Sequence, residues 1–166
     1  MKNLLFPVLL LLSFGPLLAQ VPVKGELAFN ISLPSQSGDS MNLASLKGQI
    51  VLVDFWASWC GPCRVTNRNL VTLYEKYRKL GFEIFSISID NDTARWRAAI
   101  DLDKMEWRQV NQRGGWQSPV VRAWGITKLP SSFLLDREGR FVAIEPSYGV
   151  LEKWLETLLE PKIETK

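Results

Sequence analysis

Cys60 and Cys63 are the only cysteines of a 166-residue chain, and two residues separate them in Trp59-Cys60-Gly61-Pro62-Cys63. Thiols at that spacing, at the opening of a helix, can close to a disulfide and reopen, so reversible redox chemistry is the first expectation. Tetrahedral zinc needs about four ligands, and the chain offers no histidine and no third cysteine. No metal or other cofactor is therefore expected. A purely structural bridge closing so small a loop would constrain the unfolded chain least, because loop-closure entropy grows with loop length.

The two thiols are inequivalent. Pro62 suits the first turn of a helix because it has no N–H to leave unpaired. Cys63, Thr66, Leu70, Leu73, Tyr77 and Leu80 then recur at intervals of three and four, one stripe of a helix that Gly81 closes. Cys63 belongs to this inward stripe. Cys60 lies off it at the helix entrance, where free backbone N–H groups and the positive end of the dipole favour an anion. Cys60 is accordingly the expected nucleophile and Cys63 the resolving thiol. Lowering a thiol pKa from about 8.5 to about 7 raises the thiolate fraction roughly 15-fold. The more acidic thiolate is roughly fivefold less nucleophilic, which leaves a net gain of only about threefold.

Cys63, shielded and desolvated, needs a base when it attacks. Asp54 is the one ionisable side chain between Ile50 and Trp59. The run Ile50-Val51-Leu52-Val53-Asp54-Phe55-Trp56 reads as a buried parallel strand, so the Asp54 carboxyl should be buried, with a raised pKa suited to proton exchange. Asp54 is the candidate acceptor of the Cys63 proton, directly or through water; the alternative is a solvent-facing acid on a half-exposed strand. Trp59 is a candidate substrate-facing surface. Trp56, Trp96, Trp107, Trp116, Trp124 and Trp154 read as core or scaffold, with a docking patch drawn from Trp107 or Trp116 as the second reading.

Around this site the pattern predicts alternating layers. Phe29 to Leu33 alternates and Pro34 to Asp39 is turn-forming, which suggests a hairpin returning through Met41 and Leu43. Phe82 to Ile89 is a second apolar strand, and strand–helix–strand implies a right-handed parallel crossover. Asp90 to Thr93 offers turn and N-cap residues before a helix of about ten residues starting near Ala94. Trp107 to Val110 suggests a short strand, Gly114-Gly115 a loop, and Pro119 to Trp124 one or two helical turns. Ser131 to Leu135 and Phe141 to Ile144 flank Asp136-Arg137-Glu138-Gly139, a hairpin signature. Val150, Leu151, Trp154, Leu155, Leu158 and Leu159 share one face of a last helix, stopped by Pro161. The expected fold class is α/β, a sandwich with a mixed sheet.

At the amino end, Lys2, a leucine-rich stretch, Gly15-Pro16 and the small Ala19 are the parts of a secretory signal peptide over residues 1–19. Residues 20–166 would then form one domain with one core. An uncleaved membrane anchor is the alternative. Pro7, Gly15, Pro16 and Pro22 argue against a stable spanning helix of about 20 residues. The whole chain carries a net charge of +3, near enough to balance that neither nucleic acid nor an anionic membrane surface is implied as a partner.

Val53-Asp54-Phe55-Trp56-Ala57-Ser58-Trp59-Cys60-Gly61-Pro62-Cys63-Arg64 and Leu129-Pro130-Ser131-Ser132-Phe133-Leu134-Leu135-Asp136, in this order of elements, resemble the thioredoxin superfamily. Within it they resemble the exported TlpA/ResA-like branch. The resemblance implies a three-layer thioredoxin-like fold with a central mixed sheet, to which an amino-terminal β-hairpin and a central insertion over residues 93–117 are added. It implies a Cys60–Cys63 redox disulfide, with Trp59, Gly61 and Pro62 completing the active-site motif. It also implies a cis Leu129–Pro130 bond against the dithiol, so that Leu129 and Pro130 border the substrate groove. Many relatives carry Glu and Pro where this chain has Thr66 and Arg68.

The expected activity is that of an exported, most simply periplasmic, thiol–disulfide oxidoreductase, a reductase of disulfides in client proteins. The resemblance adds a membrane thiol carrier as electron donor, and the expected state is a monomer. A disulfide oxidase or isomerase uses the same parts in the other direction. A peroxidase of related fold needs Pro-x-x-x-Thr-x-x-Cys, and the corresponding positions here hold Val53 and Ala57. A non-catalytic, client-binding holdase is the remaining alternative; it would keep its function without either cysteine.

Overall fold

The computed structural model describes residues 21–159. The expected signal peptide and its cut after Ala19 lie outside them, as does Pro161. A small antiparallel hairpin, β1 (Ser32–Pro34) and β2 (Ser40–Asn42), precedes β3 (Ile50–Trp56). The chain continues through α1 (Gly61–Tyr77), β4 (Phe82–Ser88), α2 (Thr93–Asp103), β5 (Arg108–Asn111) and α3 (Pro119–Ala123). It ends with β6 (Ser131–Leu135), β7 (Phe141–Ile144) and α4 (Tyr148–Leu159).

The five-stranded central sheet has the order β5-β4-β3-β6-β7. β3, β4 and β5 are parallel, and β6 and β7 run antiparallel to their neighbours. Every residue of β3 and β4 is buried, which is why both strands read as near-continuous apolar runs rather than alternating ones. Successive residues still point to opposite faces. Phe55 packs with Trp124, Phe133, Phe141 and Phe29 in one aromatic cluster, whereas Asp54 points to the face covered by α1 and α4.

Local chemistry marks the element ends. Asp92 caps α2 by accepting from the N–H groups of Ala94 and Arg95. Gly81 closes the 3₁₀ turn after α1 at φ 97°, a left-handed conformation that suits glycine. Asp136 Oδ1 accepts from the N–H groups of Glu138 and Arg140, which tightens the β6–β7 turn.

Two expectations need correction. The buried face of α1 runs through Cys63, Asn67, Leu70, Leu73 and Tyr77; Thr66 is only half-buried and Leu80 is exposed. The helix tightens to 3₁₀ geometry at Arg78, which swings Leu80 outward, and Asn67 takes the position one step beyond Thr66. In α4, only Leu151, Leu155 and Leu159 are buried, and Val150 faces solvent.

Candidate functional site

The carboxyl ends of parallel strands are where open α/β sheets place their chemistry. Here β3 delivers Ala57-Ser58-Trp59-Cys60 from that end. Cys60 is the N-cap residue of α1, with φ −83° and ψ 101°. Its Sγ accepts the N–H of Cys63 at 3.2 Å, so one of the helix's unpaired donors points at this sulfur. Cys60 and Cys63 are joined as a disulfide, with their Cα atoms 5.2 Å apart. Cys60 keeps 6% of its surface exposed and Cys63 none. The order of accessibility follows the sequence reading, but Cys60 is more sheltered than a helix mouth suggests.

Register brings the second motif to the same end. β3 and β6 are antiparallel, with Phe55 opposite Ser131, so Leu129 and Pro130 lie beyond the carboxyl end of β3. The Leu129–Pro130 peptide bond is cis. Pro130 and Asp54 line one cavity of about 310 Å³, together with Thr66 and Leu70 of α1 and Tyr148 and Leu151 of α4.

Asp54 is only 1% exposed. Burial raises its carboxyl from the ordinary 3.8 to about 7, and the hydrogen bond donated by Ser86 Oγ to Oδ2 at 3.2 Å opposes the rise. Trp107 Nε1 in turn donates to Ser86 Oγ at 2.8 Å. The other carboxyl oxygen, Oδ1, has no hydrogen-bond partner among the described residues. An acid half-ionised near neutrality, with one oxygen free beside a cavity, is equipped to take up and release a proton.

The tryptophans divide. Trp56, Trp96, Trp107 and Trp124 are buried, whereas Trp59 is 56% and Trp116 44% exposed. The rings of Trp59 and Trp116 lie 6.5 Å apart. Trp116, expected in the scaffold, instead extends the apolar surface beside the disulfide. Gly114-Gly115 allows this: Asn91 Oδ1 accepts the Gly114 N–H at 2.8 Å and anchors the turn.

Sequence reasoning missed the side chains that brace the loop. Arg64 donates to both carboxylate oxygens of the buried Asp103, Arg68 adds a contact at 3.2 Å, and Arg64 Nη1 reaches the Ser58 carbonyl at 3.5 Å. Asp90, read as a turn residue, is buried and bonded to Ser58. A charge directly after an apolar strand was the only available signal for Asp90. For Asp103 none existed, because its partners lie 35 and 39 residues away.

A Cys60–Cys63 disulfide at a helix N-terminus, a cis proline at the same sheet end and a buried acid on β3 define a thioredoxin-like thiol–disulfide redox site. The chain matches the AhpC/TSA family over residues 24–144 and belongs to that family. It is 27% identical over 118 residues to the thiol-disulfide oxidoreductase ResA of Bacillus thuringiensis subsp. konkukian, a match spanning 71% of this chain and 66%, just under two thirds, of that relative. Among solved structures, the thioredoxin domain of a thiol-disulfide oxidoreductase from Bacteroides vulgatus is 32% identical with a TM-score of 0.76, covering 83% of this chain and 99% of that one. A thiol-disulfide oxidoreductase from Bacteroides fragilis is 31% identical with a TM-score of 0.76, covering 81% and 100%. Fold, site and relatives place this chain in the thioredoxin-like class, beside proteins named thiol-disulfide oxidoreductases.

Proposed function

We propose that the protein is exported, works in the periplasm, and reduces disulfides in client proteins. The observation that carries the mechanism is the asymmetry of the pair: Cys60 keeps 6% of its surface exposed and its Sγ accepts a helix N-terminal N–H, while Cys63 is fully enclosed. In the reduced protein the Cys60 thiolate attacks one sulfur of the client disulfide. That S–S bond breaks, a client thiolate leaves, and a mixed disulfide forms. Asp54 takes the Cys63 proton; the Cys63 thiolate then attacks Cys60 Sγ and expels the second client thiol. Two electrons have passed to the client and the Cys60–Cys63 disulfide remains. A membrane thiol donor returns the two electrons. Trp59, Leu129 and Pro130 border the client, and Trp116 widens that surface.

Export is supported by the amino-terminal pattern of Lys2, a leucine-rich stretch, Gly15-Pro16 and Ala19. Replacing Cys63 with Ser tests the whole scheme. Clients should accumulate on Cys60 as mixed disulfides that dithiothreitol releases, and Cys60→Ser should trap none. Equal trapping by both variants would refute the assigned roles. Full client protection by the double variant would identify a holdase instead.

A further inference from the structure

The carboxyl ends of β3, β4 and β5 meet at Asp90, whose buried carboxylate ties the loop after β3 to the end of β4 and whose backbone carbonyl takes a bond from β5. Asp90, two residues beyond β4, accepts hydrogen bonds from the Ser58 N–H at 2.8 Å, Ser58 Oγ at 2.7 Å and Ser88 Oγ at 2.8 Å. Asn111, the last residue of β5, donates from Nδ2 to the Asp90 carbonyl at 3.0 Å, the Ser88 carbonyl at 3.3 Å and Ser88 Oγ at 3.1 Å. Ser58, two residues ahead of Cys60, is thus held by N–H and hydroxyl from one side, and by Arg64 through its carbonyl from the other.

We propose that Asp90 is a positioning residue of the redox pair: through Ser58 it fixes the loop ahead of Cys60, and its charge sets the balance between disulfide and dithiol. The inference rests on the redox reading of Cys60 and Cys63 and holds for either direction of electron flow. Asp90 accepts the Ser58 N–H and adjacent Cα atoms are about 3.8 Å apart, so its carboxylate lies at most about 12 Å from the Cys60 Cα. At that separation, with an effective dielectric constant of about 20, one charge alters the ionisation of another about tenfold. A negative charge there disfavours the Cys60 thiolate, hence the reduced pair, and favours the disulfide. Arg64 acts in the opposite sense, but Asp103 engages it through two hydrogen bonds, and Arg68 contacts the same carboxylate.

Equilibration with glutathione at pH 7 reads this balance. The Cys60–Cys63 disulfide and two glutathione thiols give the dithiol and one glutathione disulfide, so two electrons and two protons move to the protein. Asp90→Asn keeps an acceptor for the Ser58 N–H and removes the charge. The equilibrium should move severalfold and at most about tenfold toward the dithiol, the upper figure being about 30 mV for a two-electron couple. Ser58→Ala withdraws the hydroxyl donor from Asp90 and leaves the charge less neutralised, so it should move the equilibrium about threefold toward the disulfide.

Opposite signs distinguish this device from simple loosening of a loop, which would move both variants the same way. Shifts of the same sign, or no shift in either, overturn the proposal. If Asp90→Asn does not fold, Ser58→Ala decides: movement toward the disulfide supports the proposal, and movement toward the dithiol or none overturns it. A wild-type pair that neither glutathione nor dithiothreitol reduces would sink the underlying redox reading as well.

Discussion

Asp54 is held in a state that weakens the fold. Its carboxyl is raised from 3.8 to about 7, first by burial, with Ser86 opposing. Between those values the native protein binds a proton that the unfolded chain releases. Stability from this group is therefore fully present below about pH 4 and declines as pH rises through 7. Three units correspond to about 4 kcal/mol. Asp54→Asn should therefore be more stable than wild type at pH 8 and equal to it near pH 4, which urea unfolding across that range would read. Release of a mixed disulfide should slow about 10- to 100-fold at pH 7 and lose its dependence on pH near 7. A variant with unchanged release kinetics would remove Asp54 from the mechanism. Asp54 was legible because it is a lone charge in an apolar run. Asp90 was not, because in Asp90-Asn91-Asp92 an aspartate is an ordinary turn or cap residue, and only Asp92 serves as the cap.

Helix α1 carries both its register and its departures from the family on adjacent residues. Thr66 Oγ1 turns back to the Pro62 carbonyl at 3.2 Å, and Arg68 joins Arg64 on Asp103, at the end of α2. Where many relatives are expected to have a carboxylate and a proline, this helix runs uninterrupted and is tied sideways to α2. The three-four spacing exposed the helix and its inward cysteine. It placed Thr66 rather than Asn67 on the buried line, because a polar residue gives hydropathy no reason to assign it inward. Removing one partner of a buried ion pair strands the other charge. Asp103 is buried but Arg64 and Arg68 keep solvent contact, so Asp103→Ala should cost about 1–2 kcal/mol in urea unfolding. Pairing Asp103→Leu with Arg64→Met should recover most of that loss, since well-packed apolar replacements of buried pairs are often neutral. If the double variant were as unstable as Asp103→Ala, the ion pair would not be the source.

The sheet separates stability from chemistry across its thickness. One face holds Asp54 and the cavity between α1 and α4; the other buries Phe55, Trp124, Phe133 and Phe141, with the half-buried Phe29 packed against them. Its edges are covered as well: Ser35 bridges to Val110 on β5, and Leu27 to Arg140 at the start of β7. Strand identity and the parallel crossover were readable from apolar runs and turn residues, but these long-range bridges leave no local pattern. The division predicts opposite outcomes for two tryptophans. Trp124→Ala opens a hole in the aromatic cluster and should cost about 3–5 kcal/mol, while the folded fraction keeps the wild-type glutathione equilibrium. Trp116→Ala removes a half-exposed ring and should change stability by less than about 0.5 kcal/mol. Its expected effect is a severalfold rise in KM for a protein disulfide, with kcat and the glutathione equilibrium unchanged. Loss of stability in Trp116→Ala with KM intact would return Trp116 to the scaffold and leave Trp59 alone as the aromatic surface beside Cys60.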